Sequence, residues 1–284
     1  MNDATQIVRE RATALLADGT VAAVVGWAAG RGDHDRHVFV ARTPEEAALL
    51  VADQYCGALA AKRVLSLLDE GKIALVARGC ESRAVNRFMA DRQLKRDQVH
   101  IIGWPCPGML DPATGDALKR CTECQRRNPV LSDEVVGDPV PEPELDRFAE
   151  LERFEQKTPE ERRAFFQDMY ESCIRCYACR NACPCCTCRV CFVDQERVGW
   201  MGEEFTADEA RYYGTVRAFH TGDRCIECGE CQRVCPQHLP LMLLMHKQVR
   251  DIDGLFGPYP GGGMEPEGPD PLRTYHTDDL EEFM

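Results

Sequence analysis

Apolar residues in the first part of the chain come in short runs. Residues 20–28 (TVAAVVGWA) and 37–41 are β-branched and apolar and suit strands, while 57–70 carries apolar residues at helical spacing. Residues 72–77 (KIALVA) then read as a buried strand, 81–94 (ESRAVNRFMADRQL) as an amphipathic helix, and 99–104 (VHIIGW) as another strand. Strand–helix–strand alternation at this pitch predicts a small parallel sheet. Gly26, Gly30 and Gly32 are loosely spaced and suit a turn, with no GxGxxG or phosphate-cradling loop after a strand.

The pattern changes at 137–143 (GDPVPEP), a Pro-rich break. Charged helical sequence follows over 144–169, with Thr158-Pro159-Glu160-Glu161 as a helix start. Residues 206–220 (TADEARYYGTVRAFH) are helical in pattern, and 239–249 (LPLMLLMHKQV) forms an apolar helix too short to span a membrane. The expected organisation is α/β: a parallel-sheet domain (1–140), a helical linker (141–172), a mainly helical cysteine-rich domain (173–250) and a tail (251–284). The tail is Gly/Pro-rich over 254–270 and acidic at its end, so it is expected to be disordered or laid over a partner.

Charge narrows the function classes. With 47 acidic against 34 basic residues and a net charge of −13, the surface is a poor match for nucleic acid. Residues 1–16 are polar and amphipathic, without the apolar core of a signal peptide. No run is long enough to span a membrane, so a soluble, cytoplasmic protein is expected.

Seventeen cysteines change the picture most. Disulfide frameworks suit small secreted chains, and these cysteines are clustered like metal ligands. Two copies of one motif are present: Cys173-x2-Cys176-x2-Cys179-x3-Cys183-Pro184 and Cys225-x2-Cys228-x2-Cys231-x3-Cys235-Pro236. Three thiolates on one tight turn cover three corners of a cubane, and the fourth points to the other cluster. That spacing assigns Cys173, Cys176, Cys179 and Cys235 to one [4Fe–4S] cluster and Cys225, Cys228, Cys231 and Cys183 to a second. A pair of zinc sites is the alternative, although two CxxC pairs suffice for zinc and these repeats offer eight ligands.

The long helical connection between the motifs resembles the dicluster ferredoxins of fumarate reductase iron–sulfur subunits and heterodisulfide reductase small subunits. Four further cysteines lie where loops are expected: Cys80 after KIALVA, Cys106 after VHIIGW, then Cys121-x2-Cys124. Loops at the C-terminal ends of neighbouring parallel strands converge, so these four can meet. Gly-Cys after one strand, Pro-Cys after the next, then Cys-x2-Cys with Asp133 and Gly137 downstream, resembles the beta subunits of deazaflavin-coenzyme-reducing hydrogenases and formate dehydrogenases. The resemblance covers roughly 72–137 and implies that Cys80, Cys106, Cys121 and Cys124 hold a third cubane. A structural zinc, or an unligated thiol at Cys80, is the alternative. That family's flavin and deazaflavin sites need a larger domain than 1–140 supplies.

An unusual run, Cys183-Pro184-Cys185-Cys186-Thr187-Cys188-Arg189-Val190-Cys191, ends the first motif. The stretch 176–184 (CYACRNACP) followed by Cys186-x-Cys188-x2-Cys191-Phe192-Val193-Asp194 resembles ferredoxin-like subunits of heterodisulfide-reductase-type and formate dehydrogenase complexes. Cys185, Cys186, Cys188 and Cys191 are assigned no separate site, since adjacent cysteines do not easily reach one cubane. Cys56, alone on a helix start, reads as structural. His34, His37 and His100 are scattered and form no nucleophile–base pair, so no catalytic residue is assigned. The expectation is an electron-transfer subunit that relays electrons between a flavoprotein of the heterodisulfide reductase type and a hydrogenase, formate dehydrogenase or other reductase subunit. The rival is a reductase subunit that binds flavin or deazaflavin at the N-terminal sheet.

Overall fold

The computed structural model describes residues 4–195, 199–202, 204–256 and 261. Helix α1 (Ala4–Ala17) buries Val8, Ala12 and Leu15, which recur at helical spacing on one face. Strand β1 (Ala23–Ala29) turns back as β2 (Arg36–Ala41), with the Gly30 amide donating to the Asp35 carbonyl at 2.9 Å. Then come α2 (Pro44–Ala47), β3 (Leu50–Val51), α3 (Lys62–Leu65), β4 (Ile73–Ala77), α4 (Gly79–Ala90) and β5 (Val99–Gly103). This half closes with α5 (Lys119–Thr122) and β6 (Glu134–Val135).

The strands form one sheet in the order β2-β1-β4-β5-β6, with β3 beside β1. β1, β4, β5 and β6 are parallel, but β2 and β3 run antiparallel to β1. The expected parallel sheet is therefore a mixed one. The β1–β2 connection is too short for a crossover and permits only an antiparallel return. Gly26 is not in the turn expected for it: it lies inside β1, while Gly30 and Gly32 follow at the β1–β2 turn.

The stretch 57–70, expected as one helix, holds only α3 and a 3₁₀ turn at Leu68–Glu70. Its first residues direct their backbone groups to distant partners. The Ala58 carbonyl accepts from Trp27 Nε1 at 2.9 Å and Arg78 Nη2 at 3.0 Å, and the Leu59 amide donates to Glu230 Oε1 at 3.1 Å. A helical ladder cannot use groups already committed elsewhere.

The cysteine-rich half contains α6 (Ala149–Glu155), α7 (Pro159–Glu171), α8 (Ala178–Ala182), α9 (Ala207–Gly222), α10 (Glu230–Arg233) and α11 (Leu241–Phe256). The helical stretch expected over 144–169 is thus two helices. The break falls before Thr158, whose Oγ1 accepts from the Glu161 amide at 3.2 Å while Glu161 accepts from the Thr158 amide at 2.8 Å. α11 runs to Phe256 and takes in the start of the expected tail. Apart from Gly261, residues 257–284 lie outside the described residues.

The two halves share one buried core. Cys183, Cys185 and Ile226 pack in the same cluster as Val76 of β4, Ile101 of β5 and Phe88 of α4. Among the described residues, no helix is long and apolar enough to cross a membrane.

Candidate cysteine-lined sites

Three cavities are walled by cysteines. Cys173, Cys176, Cys179 and Cys235 line the first, with Tyr170, Arg175 and Tyr213. Cys225, Cys228, Cys231 and Cys183 line the second, with Cys185, Arg217, Met242 and Met245. Cys80, Cys106, Cys121 and Cys124 line the third, with Arg78, Arg120 and Cys228. Among the described residues, no group of three or more His, Cys, Asp or Glu is arranged to hold a single metal ion. A cubane takes one thiolate at each of four irons, so its ligands surround a volume rather than a point.

The two motifs share one backbone device. Arg175 (φ 48°) and Tyr177 (φ 58°) are left-handed, as are Glu227 (φ 53°) and Gly229 (φ 65°), two and four residues after the first cysteine of each motif. Such residues reverse the chain tightly and turn amides inward, as in anion-binding nests. The Glu227 amide donates to Cys225 Sγ at 3.4 Å. At the equivalent place, burial pushes the Cys173 thiol up and the Arg175 amide pulls against it. At Gly229 a side chain is excluded twice over, by φ and by a Cβ that would stand 2.6 Å from Arg120 Cβ.

The third cavity is built from the ends of the parallel strands. Cys106 follows β5 in a loop, whereas Cys80 lies in the first turn of α4 and Cys121 in α5, rather than in the loops expected for them. Gly79 lets the loop carrying Cys124 approach, because a Cβ there would meet the Arg126 carbonyl oxygen at 2.2 Å. Beneath the cavity, Arg78 donates to Glu81 through Nε at 3.0 Å and Nη2 at 2.5 Å, to the Ala58 carbonyl, and stacks on Trp27 at 4.5 Å. The pair is 1% and 0% exposed. Burial opposes the charge on Glu81, but Arg78 holds its carboxyl below the usual carboxylate range. Cys80 Sγ donates to Glu81 Oε2 at 3.2 Å, and burial followed by the Glu81 charge pushes that thiol well up. A metal binding there must displace protons from its ligands.

Two buried arginines join the cavities. Arg120, next to Cys121, donates to the Cys228 carbonyl at 3.1 Å and to Glu230 Oε2 at 2.8 Å, and also bonds the Gly57 carbonyl. Arg217 of α9 lines the second cavity and donates to the Cys179 carbonyl at 3.3 Å. Burial pushes the Cys231 thiol up to about 11 while Arg217 pulls the other way. Tyr213 Oη lies 3.4 Å from Cys179 Sγ. Sequence reasoning missed Arg120, Arg217, Tyr213 and Glu230. Glu230 alone carried a signal, standing between the cysteines of the second motif.

The other cysteines are dispersed. Cys185 is buried, Cys186 and Cys191 are half-buried, and Cys188 is exposed. Cys56 is fully buried in a loop, not at a helix start, and burial pushes its thiol up to about 12. The histidines stay apart: His34 stacks on Tyr55 and His100 Nε2 lies 3.0 Å from Glu134. A larger cavity of about 820 Å³, lined by Arg83, Lys119, Arg126, Arg147 and Arg233, borders Cys124. No sequence motif announced it.

No protein-family model matches this sequence. One relative does. The F420-dependent formate dehydrogenase subunit beta of Methanocaldococcus jannaschii is 20% identical over 291 aligned positions, covering 70% of this chain and 76% of the relative.

Proposed function

We propose that this chain is an electron-transfer subunit of a formate-dehydrogenase-type oxidoreductase, with three [4Fe–4S] clusters. Their ligands are Cys173, Cys176, Cys179 and Cys235; Cys225, Cys228, Cys231 and Cys183; and Cys80, Cys106, Cys121 and Cys124. The observation that carries this reading is the continuity of the three cavities. Cys228 lines both the second and the third, and Arg217 touches both the second and the backbone of the first. The relative's name supports the oxidoreductase class.

When bound, such clusters supply one-electron reduction and reoxidation, at potentials set by burial and by hydrogen bonds to sulfur. The chain's residues fit that role. Met242 and Met245 of α11 exclude water from the second cavity, inward amides face the thiolates, and Arg120 and Arg217 offset negative charge. The first cavity reaches solvent, with Cys176 and Ile174 exposed and Phe205 held over Arg175 at 4.9 Å. That end suits docking of one partner, and the N-terminal half the other. The partner classes are a heterodisulfide-reductase-like flavoprotein and a hydrogenase, formate dehydrogenase or other reductase subunit. A cytoplasmic setting agrees with this reading, because it keeps unpaired thiols reduced.

Iron, acid-labile sulfide and zinc in anaerobically purified protein test the assignment. About twelve irons with matching sulfide are expected, four per cubane. About eight would confine the clusters to the paired motifs, and stoichiometric zinc would replace redox sites by structural ones.

A second reading is favoured by one observation. The large cavity beside Cys124 is rich in arginine, and the Nε atoms of Arg83 and Arg120 lack hydrogen-bond partners among the described residues. Its volume is sufficient for a flavin or deazaflavin. Most of its other cations are already paired: Lys119 with Glu150, Arg147 with Glu227, and Arg233 with Glu230. A yellow chromophore released on denaturation would support this reading, and its absence from loaded protein would remove it.

Tyr213→Phe deletes the hydroxyl beside Cys179. The first-motif cluster is expected to become harder to reduce by on the order of 50 mV, equivalent to about 1 kcal/mol for one electron. A potentiometric titration followed by electron paramagnetic resonance (EPR) reads this directly. An unchanged potential would show that the phenol does not donate to the sulfur.

A further inference from the structure

We propose that Cys185 is a second thiolate for the cluster corner that Cys183 holds, giving the second cavity five ligands for four irons. This rests on the reading that a [4Fe–4S] cluster occupies that cavity.

Cys183 and Cys185 sit on one turn, closed by the Cys186 amide donating to the Cys183 carbonyl at 3.2 Å. They are 9% and 1% exposed, and both line the cavity formed with Cys225, Cys228 and Cys231. Cys186 does not line it, and Cys188 is exposed. The Cys185 thiol rests against the Arg224 carbonyl at 2.8 Å, directly before the first cysteine of the second motif. Arg224 in turn donates through Nη2 to the Cys185 carbonyl, so this turn is pinned to the flank of the binding loop. A thiol is a weak donor, and giving up that hydrogen bond costs little.

The bland alternative is a buried free cysteine acting as a small apolar residue. The other motif shows what the chain does without a spare. Cys235 is followed by Pro236, Gln237 and His238, and the first cavity is lined by its own four cysteines with no fifth. Of the two cavities built by the paired motifs, the second has the extra thiol, and loss of one corner there would interrupt the path between the outer two.

The exchange balances. Cys185 sulfur forms a bond to iron and gives up its proton, while the Cys183–iron bond breaks and that sulfur takes a proton. No electron moves, and the total charge of cluster and protein is unchanged.

The test compares full-length wild-type protein, Cys183→Ala, Cys185→Ala, the double variant and Cys235→Ala, all purified anaerobically. Iron and sulfide are counted, and oxidised samples are examined by EPR for the near-isotropic signal of a three-iron cluster. Cys235→Ala, with no spare thiol, is expected to show that signal or lose about four irons. Both Cys183→Ala and Cys185→Ala are expected to keep the wild-type count with no three-iron signal. The double variant is expected to behave like Cys235→Ala. A three-iron signal or iron loss in Cys183→Ala alone would overturn the proposal and leave the cluster assignment standing. Retention of the cluster in the double variant would also overturn it, by passing the role to another thiol. Wild-type protein with fewer than about eight irons would remove the underlying cluster as well.

Discussion

Arg78→Met is expected to lower the thermal midpoint by on the order of 10 °C, which corresponds to about 3–5 kcal/mol in a chain of this size. The substitution keeps much of the side-chain volume and removes the cation that is hydrogen-bonded to Glu81, whose side chain is completely buried. It also leaves the Cys56 and Ala58 carbonyls without their arginine donor. Breaking a buried pair from one side is costly because the remaining ion cannot reach water. The loss should extend to metal content, since Arg78 and Glu81 flank Cys80 in the first turn of α4. About four irons per chain should be missing, with the other eight retained. Arg78→Lys restores the charge but not the planar fork, so an intermediate midpoint is expected. A variant that melts with wild type and carries full iron would show that Arg78 neither supports the fold nor the third site.

The second large effect is expected at Arg120. Arg120→Met leaves Glu230 with the Arg233 guanidinium and the Leu59 amide and deprives the Gly57 and Cys228 carbonyls of a donor. A loss of about 3 kcal/mol is expected, at the lower end for a buried pair because Arg233 still compensates part of the charge. The double variant Arg120→Met/Glu230→Met should recover most of it, since an apolar pair of similar volume does without desolvating two ions. Denaturant unfolding of the wild type, both single variants and the double variant gives the coupling energy. If the double variant is no more stable than Arg120→Met, the under-compensated charge of Glu230 is not the source of the loss.

The sequence revealed the parts whose chemistry is local. Cysteine spacing within each of the two motifs reflects a single turn of chain, and the structure gathers those residues around two cavities. The strands at 72–77 and 99–103 announced themselves because both faces are buried, which gives continuous apolar runs. Other features depend on distant partners and left no local trace. The segment at 57–61 has helical spacing, yet its carbonyls and amides serve Trp27, Arg78 and Glu230. Arg120 and Arg217 look like ordinary surface arginines in sequence, and only the fold shows them buried between cysteine sets. The left-handed Arg175, Tyr177 and Glu227 are also invisible to composition, because only Gly229 among these positions is a residue that adopts that conformation readily.

The shared core has a consequence for how the proposed clusters would be inserted. Cys183, Cys185 and Ile226 fill the same interior as the sheet, so residues 1–140 made alone would expose the apolar surface that those side chains cover. During synthesis the sheet leaves the ribosome first and must wait with that surface open until residue 226 has emerged. The interval is on the order of ten seconds at ordinary rates of elongation. Assembly machinery that delivers iron and sulfide would therefore meet a chain whose N-terminal cysteines are available well before their interior is sealed. The four cysteines of the third site emerge first, whereas the first and second sites both draw on residues beyond 230 and would be completed only near the end of synthesis.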